Sequence, residues 1–308
     1  MSDTTSPQQS IGSALGRFSE ELAALVEQVS ASTVSLNGRP HRPGTATVVD
    51  SDLVVTADHS VERDDDLSVT TGDGRVLKAT LVGRDPSTDL ALLRVPDLNG
   101  ISLPVPTVPT KVGALALAVP RSWQARSTAR LGIVSSVNGS IRYGRGVRLE
   151  NVIVPDISLA RGLSGSPLVN VQGEILGILT TAFVRGVAIA IPTETVQQVI
   201  ATLREHGRMR RGYLGVALQT VRLTGRQRAV RDQARGALIL GLSSGGPADA
   251  AGLLVGDIIV SAAEAKVGEI DDVQGALHSV AIGGTLRMEV LRGGALMSID
   301  VTVGEPPQ

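Results

Sequence analysis

At 308 residues, 42% hydrophobic but only 2% aromatic, the chain is long enough for two domains, and their cores must be aliphatic. A formal net charge of −1 gives no overall pull towards nucleic acid or an anionic membrane, and the lack of cysteine excludes disulfides and thiolate metal sites. No apolar run approaches the ~20 residues of a membrane span. The first nine residues lack the basic segment and apolar core of a secretory signal, so the expectation is a soluble, cytoplasmic protein.

Residues 1–10 are polar and are expected to form a disordered tail. Leu15, Phe18, Leu22, Leu25, Val26 and Val29 then recur at helical spacing. They predict an amphipathic helix over 11–29 whose stripe packs on its own domain or on a neighbouring subunit. Residues 30–203 read as short strands between Gly, Pro, Asp and Asn, among them Thr33–Leu36, Thr45–Val49, Gly132–Val137 and Gly177–Thr181. Many short strands with turn signals predict a sandwich or barrels. Thr193 is placed as the N-cap of a closing helix lined by Val196, Val199, Ile200 and Leu203. A charged linker, 204–211, precedes a second block over 212–304. Its strands are expected at 236–242 and 256–262, with a helix lined by Val273, Ala276, Leu277 and Val280. A hairpin follows around Gly293-Gly294. The fold class is therefore mainly β, followed by a smaller α/β module.

Three segments carry chemistry. Thr56-Ala57-Asp58-His59, Ser87-Thr88-Asp89-Leu90-Ala91 and Gly162-Leu163-Ser164-Gly165-Ser166-Pro167-Leu168 place a histidine, an aspartate and a serine in that chain order. Taken singly, each has a plain reading as a surface histidine, a strand cap or a turn. Together they supply what nucleophilic hydrolysis needs: a hydroxyl in Ser164, a base in His59, and a carboxylate in Asp89 to orient that base. Backbone N–H groups of Gly162 and Ser164 are the natural pair to hold a tetrahedral oxyanion. The nine arginines between 204 and 235 are read as a solvated face, because aromatic stacking residues are lacking. His41, His206 and His278 are scattered singly, so no metal site and no cofactor is expected.

These motifs resemble those of the HtrA/Deg family of serine proteases, and Asp85-Pro86-Ser87-Thr88-Asp89-Leu90-Ala91 matches the family pattern most closely. Arg211-Gly212-Tyr213-Leu214-Gly215-Val216 and the stretch from Gly246 to Ile259 are similar to that family's PDZ domains. The resemblance implies a two-barrel, chymotrypsin-like protease domain followed by a PDZ domain. It also implies an ATP-independent endopeptidase acting on unfolded or damaged proteins. Ser158, six residues before the nucleophile, is then implied at the base of the primary pocket, with Leu159 as an apolar wall that favours aliphatic side chains over Arg or Lys. Tyr213, Leu214, Gly215 and Val216 are implied to capture peptide C-termini by strand addition. Members are typically trimers, which extends the resemblance to a homotrimer, with Phe18 as the one aromatic near the N-terminus. The chain departs from the family pattern at Leu163, where an asparagine is usual, at Ser166, where a glycine is usual, and at Asp58 and Ser60 beside the histidine. Those departures leave a second reading, a catalytically weak or inactive pseudoprotease that acts as a peptide-binding module or chaperone.

Overall fold

The computed structural model describes residues 7–39, 43–121, 126–143, 147–209, 212–230 and 232–305. The chain divides into two compact units, one of residues 1–141 with 149–209, the other of 210–308 with 142–148.

The first unit opens with helix α1, Pro7–Ser30. It begins ahead of the expected residue 11, so Pro7–Ser10 are helical and not part of a disordered tail. Residues 1–6 of that expected tail lie outside the described residues. Proline suits a first helical turn, where its missing N–H has no partner to lose. Only the C-terminal part of the predicted stripe is covered. Leu25 and Val29 are buried, whereas Leu15 is 64% and Phe18 39% exposed.

Strands β1 (Thr33–Asn37), β2 (Gly44–Asp50), β3 (Leu53–Ala57), β4 (Leu67–Thr70), β5 (Val76–Asp85) and β6 (Leu90–Arg94) close into a barrel in the order β1-β2-β3-β6-β5-β4. A second barrel follows from β7 (Leu115–Ala118), β8 (Arg130–Tyr143), β9 (Val147–Asp156), β10 (Pro167–Val169), β11 (Ile175–Thr180) and β12 (Ile189–Pro192). Its order is β10-β11-β12-β9-β8-β7. Strand alternation explains why β3 and β6 read as unbroken apolar runs. On β6, Ala91 and Leu93 fill the first barrel, while Leu90 and Leu92 face a shared core with Val169, Ile178 and Ile191 of the second. Both faces are buried, so neither can be polar.

Helix α2, Thr193–His206, lays Val196, Val199 and Leu203 on that shared core. Thr193 is not its N-cap. Pro192 holds that position without a side-chain cap, and the Thr193 hydroxyl donates instead to the carbonyl of Ile175, 2.6 Å away. The helix also runs into the stretch expected as a linker. Two of the arginines there, Arg210 and Arg211, lie outside the described residues, as do His41 and Arg231.

The second unit holds β13 (Val216–Arg222), α3 (Gly225–Val230), β14 (Arg235–Leu242), α4 (Pro247–Ala250), β15 (Ile258–Ala262), β16 (Ala265–Lys266), α5 (Ile270–His278), β17 (Thr285–Arg292) and β18 (Ala295–Thr302). The sheet order is β13-β14-β15-β17-β18, with β16 paired to β15, so β13 is an edge strand. Its core is aliphatic, built on Ile239, Leu253, Ile259, Val273, Leu286 and Val290. Gly293 and Gly294 form the β17–β18 turn, with Arg292 paired to Ala295.

Candidate active site

His59 sits in a short 3-10 turn, Asp58–Ser60, that leaves the end of β3. Asp89 lies just before β6, the strand paired with β3, and the register Ala57↔Leu90 brings the two loops side by side. The Asp58 N–H donates to the Asp89 carbonyl at 2.9 Å, and the His59 N–H to Asp89 Oδ1 at 2.9 Å. His59 Nδ1 stands 2.6 Å from Asp89 Oδ2, which also accepts the Thr180 hydroxyl. An ionised carboxylate only accepts, so Nδ1 carries the proton and Nε2 is left as the basic nitrogen.

Asp89 is 4% exposed and adopts φ +56°, an uncommon conformation for a residue with a side chain. The turn that imposes it is built by Asp85. That buried carboxylate accepts the Ser87 N–H at 3.1 Å and the Thr88 hydroxyl at 2.8 Å. On the other side of His59, Arg84 Nη1 donates to Asp58 Oδ1 at 3.1 Å and to the Val61 carbonyl at 2.9 Å, tying down the same turn. Burial pushes the Asp58 carboxyl above its ordinary value, against the opposing pull of Arg84.

Ser164 belongs to the loop between β9 and β10. Leu163 N–H donates to the Ala160 carbonyl at 3.3 Å, and Gly162, third in that turn, has φ +76°. This is the type II pattern, whose third residue sits near about +80°. Two threonines of the first barrel clamp the loop, and a third, Thr56, braces the strand that carries them. Thr45 donates to the Gly162 carbonyl at 2.6 Å, Thr47 to the Gly165 carbonyl at 2.9 Å, and Thr56 to the Thr45 carbonyl at 2.7 Å. The Gly165 N–H donates across to the Leu179 carbonyl at 2.7 Å. No N–H hydrogen bond of Gly162 or Ser164 occurs among the described residues.

The two departures from the family pattern in this loop have structural roles. Leu163 is 1% exposed, seated among Ile153, Leu168, Leu176 and Leu179 inside the second barrel. Ser166 is fully buried and its hydroxyl donates to the Leu163 carbonyl. An apolar anchor and a hydroxyl staple hold the turn where an asparagine and a glycine are usual.

His59 and Asp89 are bonded to each other, but Ser164 is not bonded to His59. Ser164 Oγ is paired with Thr181 Oγ1, 3.1 Å away, and shares no hydrogen bond with the imidazole among the described residues. Sequence reading did not single out Thr180 and Thr181; the available signal was a pair of hydroxyls ending an otherwise apolar strand. Ser158 and Leu159 both lie exposed on the loop after β9.

In the second unit, Leu214 and Gly215 are buried and Tyr213 and Val216 half-buried ahead of edge strand β13. The Tyr213 hydroxyl pairs with Ser243 Oγ at 2.7 Å. A crevice of about 300 Å³ is lined by Tyr213, Gly215 and Val216 with Ala217, Gly241 and Leu242. Of the arginines nearby, Arg235 pairs with Glu269 at 3.1 Å and Arg228 donates to the Leu223 carbonyl at 3.2 Å.

Residues 44–178 match the family model of the trypsin-like peptidase domain, and residues 212–303 that of the PDZ domain. The chain is 33% identical over 278 residues to a probable periplasmic serine endoprotease DegP-like from Halomonas elongata, covering 86% of this chain and 56% of that protein. It is 32% identical over 275 residues to the Pseudomonas putida counterpart, with the same coverage. The chain belongs to the HtrA/DegP-like family. It spans about half the length of the curated HtrA/DegP-like relatives it matches. Among solved structures it is similar to the HtrA-type protease AlgW with a decapeptide, at TM-score 0.73 and 25% identity over 93% of this chain and 99% of that one. The serine endoprotease from Yersinia pestis aligns at TM-score 0.73 and 27% identity, over 92% and 97% of the two chains. The HtrA-type architecture, two six-stranded barrels and then a PDZ sheet, thus runs the length of the described chain. Among those residues no helix is long and apolar enough to cross a membrane.

Proposed function

We propose that this chain is a serine endopeptidase of HtrA/Deg type, cleaving unfolded or damaged proteins with Ser164 as nucleophile, His59 as general base and Asp89 as its orienting carboxylate. The observation that carries the reading is the double hold of Asp89 on His59, through backbone N–H and ring Nδ1, which leaves Nε2 to serve the hydroxyl. In this mechanism Ser164 Oγ attacks the scissile carbonyl carbon as its proton passes to His59 Nε2. The amides of Gly162 and Ser164 take the oxyanion. His59 then protonates the leaving amine, and water, deprotonated by the same nitrogen, hydrolyses the acyl ester. Ser164→Ala is expected to abolish casein cleavage while leaving the melting transition nearly unchanged; casein cleavage by that variant would refute the triad.

The primary pocket is proposed to use Ser158 and Leu159, with cleavage after Val, Ala or Leu. A product digest dominated by cuts after Arg or Lys would reject it. The PDZ domain is proposed to bind peptide C-termini, with Tyr213–Val216 receiving the carboxylate and the free edge of β13 accepting the peptide strand. The decapeptide complex of AlgW supports this role by kinship. A homotrimer is the proposed assembly, since Leu15 and Phe18 stand exposed on α1. Two compartments are in play: the cytoplasm, expected from the sequence, and the periplasm, named for the DegP-like relatives. Cell fractionation separates them.

One observation favours a second reading. Ser164 is bonded to Thr181 and not to His59, the arrangement a weak or inactive pseudoprotease acting as a peptide-binding chaperone would have. Peptide binding without fluorophosphonate labelling would select it.

A further inference from the structure

The adjacent threonines at the end of β11 reach opposite ends of the site. Thr180 is committed to Asp89: its hydroxyl donates to Oδ2 and accepts the Ala182 N–H at 3.1 Å. Thr181 meets Ser164, and nothing in the chemistry of a Ser-His-Asp site calls for a hydroxyl there. Its 3.1 Å contact is the only hydrogen bond of Ser164 Oγ among the described residues.

A serine hydroxyl has one proton, and attack requires that proton to be directed at the base. The side chain occupies one staggered χ1 well at a time. In the well that meets Thr181 it makes no bond to His59. We propose that Thr181 is a positioning residue that holds the Ser164 hydroxyl in a resting rotamer, so that the bond to Thr181 must break before Ser164 can engage His59. The inference rests on Ser164 being the nucleophile. Thr181 then sets how much of the enzyme is poised to react, and has no part in bond making.

The magnitude follows from population. A neutral hydroxyl pair of this kind biases a two-state rotamer by a factor of roughly 3–10. Removing it should raise the reactive fraction by that factor and leave substrate binding alone.

The test uses the full chain and four proteins: wild type, Thr181→Val, which keeps the shape without the hydroxyl, Thr181→Ala, and Thr181→Ser, which keeps the hydroxyl. Two quantities are read: the second-order rate of fluorophosphonate labelling at Ser164, and kcat and KM on labelled casein. The Val and Ala variants are expected to label about 3–10-fold faster and to gain in kcat at constant KM, while the Ser variant stays near wild type. Labelling at Ser164 that is unchanged or slower in folded Val and Ala variants overturns the inference alone. If folded wild type and variants all fail to label at Ser164, the nucleophile assignment fails and takes the inference with it.

Discussion

At Gly165 an added methyl would place its carbon 2.0 Å from the Thr45 carbonyl oxygen and 2.6 Å from Thr56 Oγ1, with φ at +84°. At Gly162 the nearest atom would be 3.7 Å away, so only the left-handed φ of +76° opposes a side chain there. The two glycines should therefore respond differently to alanine. Gly165→Ala must push the loop off the first barrel, and a loss of more than about 3 kcal/mol in thermal or urea unfolding is expected. Gly162→Ala should cost only about 1–2 kcal/mol. Relaxation of its turn would displace one amide of the proposed oxyanion pair, a loss of roughly 10²–10³ in kcat on casein. Leu163→Asn would bury an amide among Leu168, Leu176 and Leu179, and should lower stability by about 2–4 kcal/mol in the same unfolding assay. His59, Asp89 and Ser164 could be singled out in the sequence because a hydrolytic site needs those three residue types, and the structure bonds the first two to each other. Thr45, Thr47, Thr180 and Thr181 could not. Each hydroxyl acquires its partner only in the folded chain, Thr45 and Thr47 on the loop of the second barrel, Thr180 on Asp89 and Thr181 on Ser164, and no local pattern records those pairings.

Among the elements, the hairpin joining β15 to β16 carries strain that its neighbour β17–β18 avoids. Ala263 and Glu264 both adopt left-handed φ, 48° and 65°, at positions where Asn-Gly would do so readily. Ala263-Glu264 stands there instead, and the backbone keeps the turn regardless. Glu264→Gly is accordingly expected to stabilise the second unit by about 1 kcal/mol, read as a rise in its urea midpoint. The same unit holds Asp257, which Arg292 grips through Nε at 2.8 Å and Nη2 at 2.7 Å and to which Leu254 N–H donates at 2.9 Å. Burial raises the Asp257 carboxyl, but these donors outweigh it and hold the group below its ordinary value of 3.8. A lowered folded value means stability that is present above pH 3.8 and is lost as pH falls through the folded value. Arg292→Gln should lower stability at neutral pH and move the acid-unfolding midpoint of this unit upwards. Strands and helices were readable from alternation and stripe alone, yet their ends were not. The start of α1 at Pro7 and the sideways bond of Thr193 depend on which neighbours are packed alongside.

For the whole molecule, the scarcity of aromatics has a visible consequence. The cores are Leu, Ile, Val and Ala but for Phe183 and Met288, and Leu15 and Phe18 stand exposed on a helix whose other end is buried. If they seal the proposed homotrimer, Leu15→Glu with Phe18→Glu should shift the sedimentation coefficient to that of a monomer; an unchanged coefficient would place the subunit contacts elsewhere. The central claim is narrower: a serine at position 164 activated by His59 under the hold of Asp89. The most direct measurement is fluorophosphonate labelling of the intact chain, read by mass spectrometry of its peptides. The account predicts one added phosphonyl group, on the peptide containing Ser164, and its loss in both Ser164→Ala and His59→Ala with folding preserved. A folded wild-type chain that takes up no label, or takes it up at Ser166 or any other serine, would contradict it.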